Sequence, residues 1–315
     1  MNMAKISICI PAYKRTAYLE RLLDSISIQT YKDFEVIVTD DTPGNEVKDL
    51  CGLYKNKLPL YYFKNVLQRG TPGNWNESIR HAKGEWIKLM HDDDWFASPG
   101  SLAGFANFAD AGHPFIFSAY YTVSETSGRR LHKLPGVKNL MLKEPGILFA
   151  KNVIGPPSVT LIHKSISESY DERLKWRVDI EFYMRVLTRS KDYRYIDTPL
   201  INVGLNETQV TQSAINNPKI ELPEGWLLLK EYGVKPLRNI RIYDAWWRLF
   251  RNMNIRDKYQ LLPYVNEEWP NVILAMLKDE RKIPSSFLKV GVMSKFFMML
   301  SYLKNRSMAD KDLAV

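Results

Sequence analysis

Three short apolar runs, KISICI (5–10), FEVIVT (34–39) and EWIKLM (85–90), each lead into a cluster of polar or charged residues. Their length and β-branched content predict buried strands. Between the first two, Leu19, Leu22, Leu23 and Ile26 recur at helical spacing, with Thr16 as a candidate N-cap. A helical stretch (46–56), a short strand LYYF (60–63), a polar Gly-rich connection (64–73) and a helix around 74–83 follow. Strands alternating with helices predict right-handed crossovers and an α/β fold with a mainly parallel sheet. Such sheets bind ligands beyond the carboxyl ends of their strands. The clusters Pro11–Arg15, Asp40–Asn45 and His91–Trp95 all fall at those ends.

The rest of the composition narrows the class. A 315-residue chain that is 45% hydrophobic and 25% charged has enough material for a sizeable core and is neither collagen-like nor disordered. Cys9 and Cys51 cannot form a disulfide framework, and no CxxC pair offers a zinc site. The start MNMAKISICIPAYKR lacks the layout of a signal peptide, which predicts a cytoplasmic protein. No run approaches the ~18 apolar residues of a transmembrane helix. The net charge of +9 is unevenly placed: residues 1–115 carry 13 Lys and Arg against 14 Asp and Glu, and residues 116–315 carry 31 against 21. A nucleic-acid-binding protein is one reading of that excess. Against it, the basic residues are dispersed and no nucleic-acid motif accompanies them.

Chemistry concentrates in two acidic clusters. HDDDW (91–95) places Asp92, Asp93 and Asp94 directly after a strand. Adjacent carboxylates repel, and sharing a hard cation such as Mg²⁺ or Mn²⁺ relieves that repulsion. The alternative is a solvated turn capping the next helix, but Ser98-Pro99 is the better helix start. Asp40 and Asp41 follow the second strand; an Asx turn explains one of them, and the other could accept an N–H from a nucleobase. Neither GxGxxG nor GxxxxGK[ST] occurs, so a phosphate-bearing ligand would need a metal as its main counter-charge.

Read in order, ISICIPAYKR, SISIQTYKDFEVIVTDD, GNWNESIRHAKGEWIKLMHDDDW and RVDIEFYMRVL resemble the family 2 glycosyltransferases of GT-A fold, over about residues 4–205. The resemblance implies a Rossmann-like sheet flanked by helices and an inverting transfer of a sugar from a nucleotide diphosphate to a hydroxyl, with Mn²⁺ or Mg²⁺. It implies that Pro11, Ala12 and Tyr13 line the base pocket, with Tyr13 stacking on the base and Arg15 beside them. By the same register Asp41 bonds a pyrimidine base, Asp40 lies near base or ribose, and Asp93 meets ribose or sugar. Asp94 binds the metal, with Asp92 as a second candidate ligand, and Asp179 is the catalytic base. Arg69, Gly70 and Asn74 could approach the diphosphate or sugar. The chain departs from the family pattern at Lys14 and Arg15, where Asn is common; at Thr42–Asn45; at His91, where the first Asp of the metal motif often stands; and at Val178, where Glu is common.

The expected organisation is a catalytic domain over 1–205 (donor part about 1–115, acceptor part about 116–205) and a helical C-terminal region over 206–315. FIFSAYYTV (115–123) reads as an acceptor-side strand, Gly155-Pro156-Pro157-Ser158 as a turn into another, and Trp95 and His163 as packing or edge residues. YDAWWRLFRNM (243–253) and WPNVILAML (269–277) have helical apolar spacing. Segment 281–306 holds six basic residues and no acid. It reads as a docked or homo-oligomer helix or as an interfacial helix on an anionic membrane surface. No QxxRW motif of processive synthases occurs. The expected function is therefore transfer of one sugar from a UDP- or dTDP-sugar to a glycan or lipid-linked acceptor in bacterial surface polysaccharide synthesis, at the cytoplasmic membrane face. A catalytically inactive nucleotide-sugar binder is the alternative.

Overall fold

The computed structural model describes residues 5–109, 111–124, 126–136, 138–205 and 214–310. The chain forms two compact units, Met1–Leu142 with Val153–Thr208, and Lys143–Asn152 with Gln209–Val315. The boundary expected after residue 205 falls at the edge of 206–213, outside the described residues.

The first unit is built on strands β1 (Ile6–Ala12), β2 (Phe34–Asp40), β3 (Leu60–Lys64), β4 (Trp86–Leu89), β5 (Trp95–Phe96), β6 (Phe115–Ser124), β7 (Gly128–His132), β8 (Thr160–His163) and β9 (Arg194–Gly204). Their order is β3-β2-β1-β4-β8-β6-β9-β5, with β7 on β6. β3, β2, β1 and β4 are parallel, as the alternation predicts. Beyond β4 the sheet is mixed: β8 is antiparallel to both β4 and β6, whereas β6 and β9 are parallel. β8 enters directly from a 3-10 turn, Pro157–Val159, without the crossover helix that a parallel neighbour requires.

Helices α1 (Thr16–Ser27), α2 (Glu46–Tyr54), α3 (Gly70–Arg80) and α4 (Ser101–Ala109) follow successive strands of the donor half. α1 buries Leu19, Leu22, Leu23 and Ile26, the residues whose spacing predicts it. Thr16 is not its cap. Lys14 turns the chain at φ 64°, its carbonyl accepts the Thr16 N–H, and Arg15 takes the N-cap position without a side-chain cap bond. α3 spans Gly70–Arg80, but Gly70 (φ 66°) and Thr71 (ψ 131°) are not helical, so its regular turns start just beyond them, near where the local sequence places the helix. The distant Asp41 carboxylate accepts the N–H groups of Arg69 and Gly70 in the turn before it. Later come α5 (Lys138–Lys143), α6 (Ile147–Ala150) and α7 (Val178–Ser190).

The order β2-β1-β4 reverses direction at β1, so a crevice opens outside the carboxyl ends of β1 and β4. Register pairs Ala12 with Asp40, so β1 and β2 end level, and Cys9 with Leu89, so β4 stops three residues earlier and its polar turn runs alongside the end of β1. Topology thus brings together segments about 30 and 50 residues apart in sequence.

The second unit contains α8 (Pro218–Tyr232), α9 (Ile240–Met253), α10 (Asn271–Arg281), α11 (Ser285–Lys289) and α12 (Gly291–Asn305). Tyr243, Trp246, Trp247 and Phe250 of α9 are buried, and Phe149 of α6 stacks on Trp246 at 4.7 Å. Among the described residues no helix is long and apolar enough to cross a membrane. Glu280 of α10 is fully buried, and neither carboxyl oxygen has a hydrogen-bond partner. Burial pushes its pKa up to about 9, against the pull of the Arg256 and Arg251 charges.

The native state therefore binds one more proton than the unfolded chain from the ordinary Glu range up to about pH 9, so stability falls as pH rises through that window. Glu280→Gln should remove this slope and raise the melting temperature increasingly toward alkaline pH. Thermal melts of both proteins from pH 6 to 9 check it; a pH-independent difference would count against a buried protonated acid.

Candidate active site

Three strand ends build the site. After β4, a turn closed by the Asp94 N–H on the His91 carbonyl (3.1 Å) folds His91, Asp93 and Asp94 inward. One donor atom from each of these three lies within 4.8 Å of the others, a spacing that suits a single cation. His91 Nε2 is buried without a hydrogen-bond partner, and Trp75 of α3 lies against the imidazole at 4.6 Å. Burial lowers the His91 pKa to about 4, so the ring is neutral and able to ligate. Burial and the Asp93 charge hold the Asp94 carboxyl well above its usual range. An imidazole and two carboxylates form a donor set that fits a divalent ion.

Asp92 faces elsewhere. Arg15 engages both its oxygens, through Nη2 and through Nε at 3.3 Å, and reaches Asp93 Oδ2 at 3.1 Å. Burial pushes Asp92 up to about 7, although the Arg15 charge opposes it. Asp92, expected as a second metal ligand, thus lies outside the convergent trio, and His91 stands in it. Arg15, expected beside the nucleotide, ties the end of β1 to the acidic turn.

Asp94 is held from two sides. Its Oδ1 accepts the Gly204 N–H at 3.1 Å from the end of β9, and the Ser158 hydroxyl also bonds its carboxylate. Ser158 Oγ in turn accepts the His91 N–H at 3.0 Å. The turn carrying Ser158 is fastened by Lys88, which is fully buried in β4. Lys88 Nζ donates to the carbonyls of Ser158 and, at 3.1 Å, Thr160, and lies 4.4 Å from the Phe105 ring centroid. Its apolar surroundings drive its pKa well down. Sequence reasoning missed Lys88, Ser158 and Gly204. The signal for Lys88 was a lysine inside an otherwise apolar strand.

The end of β2 makes an adjoining bay. Asp41 accepts from Asn65 Nδ2 (2.6 Å), Arg69 N (3.1 Å) and Gly70 N (2.7 Å), so loop 65–70 is pinned to it. Asp40 is fully buried and accepts from Tyr62 Oη, Lys64 Nζ and Thr42 N, which makes it a framework residue. Asn74 donates to the carbonyls of Ala12 and Thr39 at 3.2 and 3.3 Å, bracing β1 against β2. The Arg69 guanidinium pairs with Glu77 at 3.2 Å. Pro11 and Ala12 end β1, and Tyr13 is 39% exposed beside the bay. Trp95 packs as expected: Arg21 stacks on it at 3.7 Å and donates to the Asp93 carbonyl. His163 sits at the end of β8, bonded to Ser165.

Asp179 occupies the first turn of α7, where the helix dipole favours an ionised carboxylate. Its Oδ1 accepts the Ile180 N–H at 2.8 Å, which fixes the carboxyl's rotamer. Tyr120 is raised to about 12, first by burial and then by the charges of Asp179 and Asp94 together. Both carboxylates therefore act on one side chain of β6, a residue the sequence did not single out.

Residues 7–170 match the family model described as Glycosyl transferase family 2. A Campylobacter jejuni GalNAc(5)-diNAcBac-PP-undecaprenol beta-1,3-glucosyltransferase is 33% identical over 117 residues, 36% of this chain and 38% of that protein. The Staphylococcus aureus poly(ribitol-phosphate) beta-N-acetylglucosaminyltransferase TarS is 28% identical over 167 residues, 52% of this chain and 26% of that protein. The chain's matches thus span well under two thirds of either relative. The crystal structure of TarS 1–349 in complex with UDP superposes with a TM-score of 0.60 at 18% identity, covering 97% of this chain and 90% of that one. The Pyrobaculum calidifontis mannosyltransferase PcManGT, in complex with GDP-Man and Mn²⁺, gives 0.55 at 13% identity, covering 99% and 88%. At these identities the structural likeness concerns the fold.

A Cβ on Gly204 would stand 2.4 Å from the Asp93 carbonyl oxygen. Gly204→Ala should therefore displace the acidic turn and cost on the order of 2 kcal/mol. Chemical denaturation of the first unit's transition measures it; a neutral substitution would mean that the close approach is not maintained in solution.

Proposed function

The chain belongs to glycosyl transferase family 2, and on that premise we propose an inverting, metal-dependent transfer of one sugar from a UDP- or dTDP-sugar to a hydroxyl of a surface glycan or lipid-linked acceptor. The chain is a glycosyltransferase; the donor, the stereochemistry and the acceptor are our reading. The observation that carries it is the convergence of His91, Asp93 and Asp94, with a buried unpartnered imidazole nitrogen, beside the Asp41 bay.

His91, Asp93 and Asp94 would hold the divalent cation, which when bound supplies neutralising charge to the departing diphosphate. Asp41 receives an N–H of a uracil or thymine base, sharing a carboxylate that now holds loop 65–70. Tyr13, partly exposed at the end of β1, stacks on the base. Arg15 keeps Asp92 and Asp93 oriented and reduces their mutual repulsion. Asp179 takes the proton from the acceptor hydroxyl. That oxygen bonds to the anomeric carbon from the face opposite the diphosphate, the carbon–oxygen bond to the diphosphate breaks, and the configuration inverts. The named activities of the Campylobacter protein and TarS favour an acceptor from the cell envelope. We place the protein in the cytoplasm, at the inner membrane face.

Asp179→Asn should lower transfer by about 10²–10⁴-fold while UDP still raises the melting temperature as in the wild type. Unchanged turnover would remove Asp179 from its role, and a wild type that binds UDP-sugars without transferring them would be a binding protein.

The imidazole ligand makes a second demand. A nitrogen donor favours Mn²⁺ over Mg²⁺. Calorimetric titration should give tighter Mn²⁺ binding in the wild type, a narrowed Mn²⁺/Mg²⁺ ratio in His91→Asp, and no binding in Asp94→Ala. An unchanged ratio in His91→Asp would exclude His91 from the shell.

A further inference from the structure

Helix α12 is amphipathic in the inverted sense. Its buried positions are Ser294, Met298, Ser301 and Asn305, three of them polar. They serve a hydrogen-bond network with the second unit's other helices. Trp247 Nε1 and Arg251 Nη1 donate to Ser294 Oγ at 3.1 and 3.0 Å, and Ser301 Oγ and Asn305 Nδ2 donate to Asp279 at 3.0 and 2.7 Å. Tyr243 Oη lies 2.8 Å from Ser301 Oγ. The rotation of this helix is thus fixed from inside by directional bonds.

At about 100° per residue, the opposite face carries Val292, Phe296, Met299, Leu300 and Leu303 within an arc of ~100°. Val292 is 82% exposed, Phe296 56% and Leu303 55%. Phe287 and Val290, just before α12, are also exposed. Lys295 borders one edge of the arc and Lys304 the other, and Lys289 precedes it. Among the described residues Lys289 and Lys295 make no ion pair, whereas Lys304 bonds Asp279 at 2.7 Å. No acid occurs anywhere in 281–306. Exposed leucine and phenylalanine cost free energy in water, and this helix cannot rotate to hide them without breaking the bonds of Ser294, Ser301 and Asn305 on its inner face.

We propose that this outward face of α12, with Phe287 and Val290, lies in the surface of an anionic lipid bilayer, its axis in the membrane plane. The apolar arc enters the boundary between headgroups and acyl chains, and lysines on either side reach the phosphates. A second copy of the chain is the less suitable occupant, because a two-fold contact sets this all-basic segment against itself with no acid to compensate. Lipid phosphate supplies the missing negative charge.

Vesicle co-sedimentation of the full chain tests the proposal without donor, acceptor or metal, so its outcome is independent of the proposed sugar transfer. Binding should be at least about tenfold stronger to vesicles of phosphatidylglycerol mixed equally with phosphatidylcholine than to phosphatidylcholine alone, and should weaken with salt. Phe296→Glu with Leu303→Glu, and separately Lys289→Glu with Lys295→Glu, should each reduce that binding about tenfold or more. These positions face outward, so circular dichroism and thermal melts should match the wild type. No preference for anionic vesicles, or undiminished binding by folded variants, would overturn the assignment. So would sedimentation velocity showing a dimer that Phe296→Glu with Leu303→Glu dissolves, because the face would then belong to a second copy.

Discussion

The turn after β4 crowds three buried carboxyl groups against one guanidinium, and much of the first unit is arranged around that crowding. Asp92, Asp93 and Asp94 are all buried, and Arg15 is the guanidinium that meets two of them. Desolvation first, and the neighbouring Asp93 charge second, drive Asp92 and Asp94 upward, and desolvation with the Arg15 and Lys88 charges keeps His91 neutral. Three such carboxylates persist together when a cation is shared, and the uncrowded alternative, an apolar turn, would be more stable for a purely structural purpose. The surrounding bonds hold the oxygens in place: Gly204 and Ser158 on Asp94, Arg15 on Asp92 and Asp93, and the Tyr13 N–H on Asp92. On the proposed metal-binding reading, these bonds preorganise the oxygens for a cation.

How the neighbouring elements serve that turn follows from topology. Parallel β1, β2 and β4 carry their polar segments at the same end of the sheet, so the Tyr13–Arg15 segment, Asp41 and His91–Asp94 meet without any of them being close in sequence. From the other side, β9 and the turn before β8 bring Gly204 and Ser158. Lys88 links the two sides through backbone carbonyls and an aromatic ring, and its burial drives its pKa well down.

Much of this was legible in the sequence, and the limits have physical causes. The strand runs and the α1 spacing report burial directly, so β1, β2, β4 and α1 lie where the pattern predicts. The fact that polar clusters sit at strand ends also follows from local sequence. Which member of a cluster points where does not: in HDDDW, the turn closed by the Asp94 N–H turns His91 inward and gives Asp92 to Arg15, and four adjacent polar residues carry no periodicity to reveal it. Asp40 and Asp41 are adjacent and chemically identical, yet one is a buried brace for Tyr62 and Lys64 and the other faces the loop of α3. The excursion of Lys143–Asn152 into the second unit rests on Phe149 stacking against Trp246, a contact about a hundred residues apart that no local window contains.

The uneven charge of the chain acquires a structural reading. Many basic residues of the later half are matched locally: Arg185 with Glu181 and Glu168, Arg173 with Asp171, Lys133 with Asp197 and Arg238 with Asp310. The exposed ones among these pairs contribute little to stability, but they cancel the field of the surface they occupy. Residues 281–306 carry six basic residues and no acid, and that same segment presents its apolar residues outward. Charge and hydrophobicity seldom coincide on a surface that only water meets, since each would be better placed without the other. Here the hydrogen bonds of Ser294, Ser301 and Asn305 keep them together.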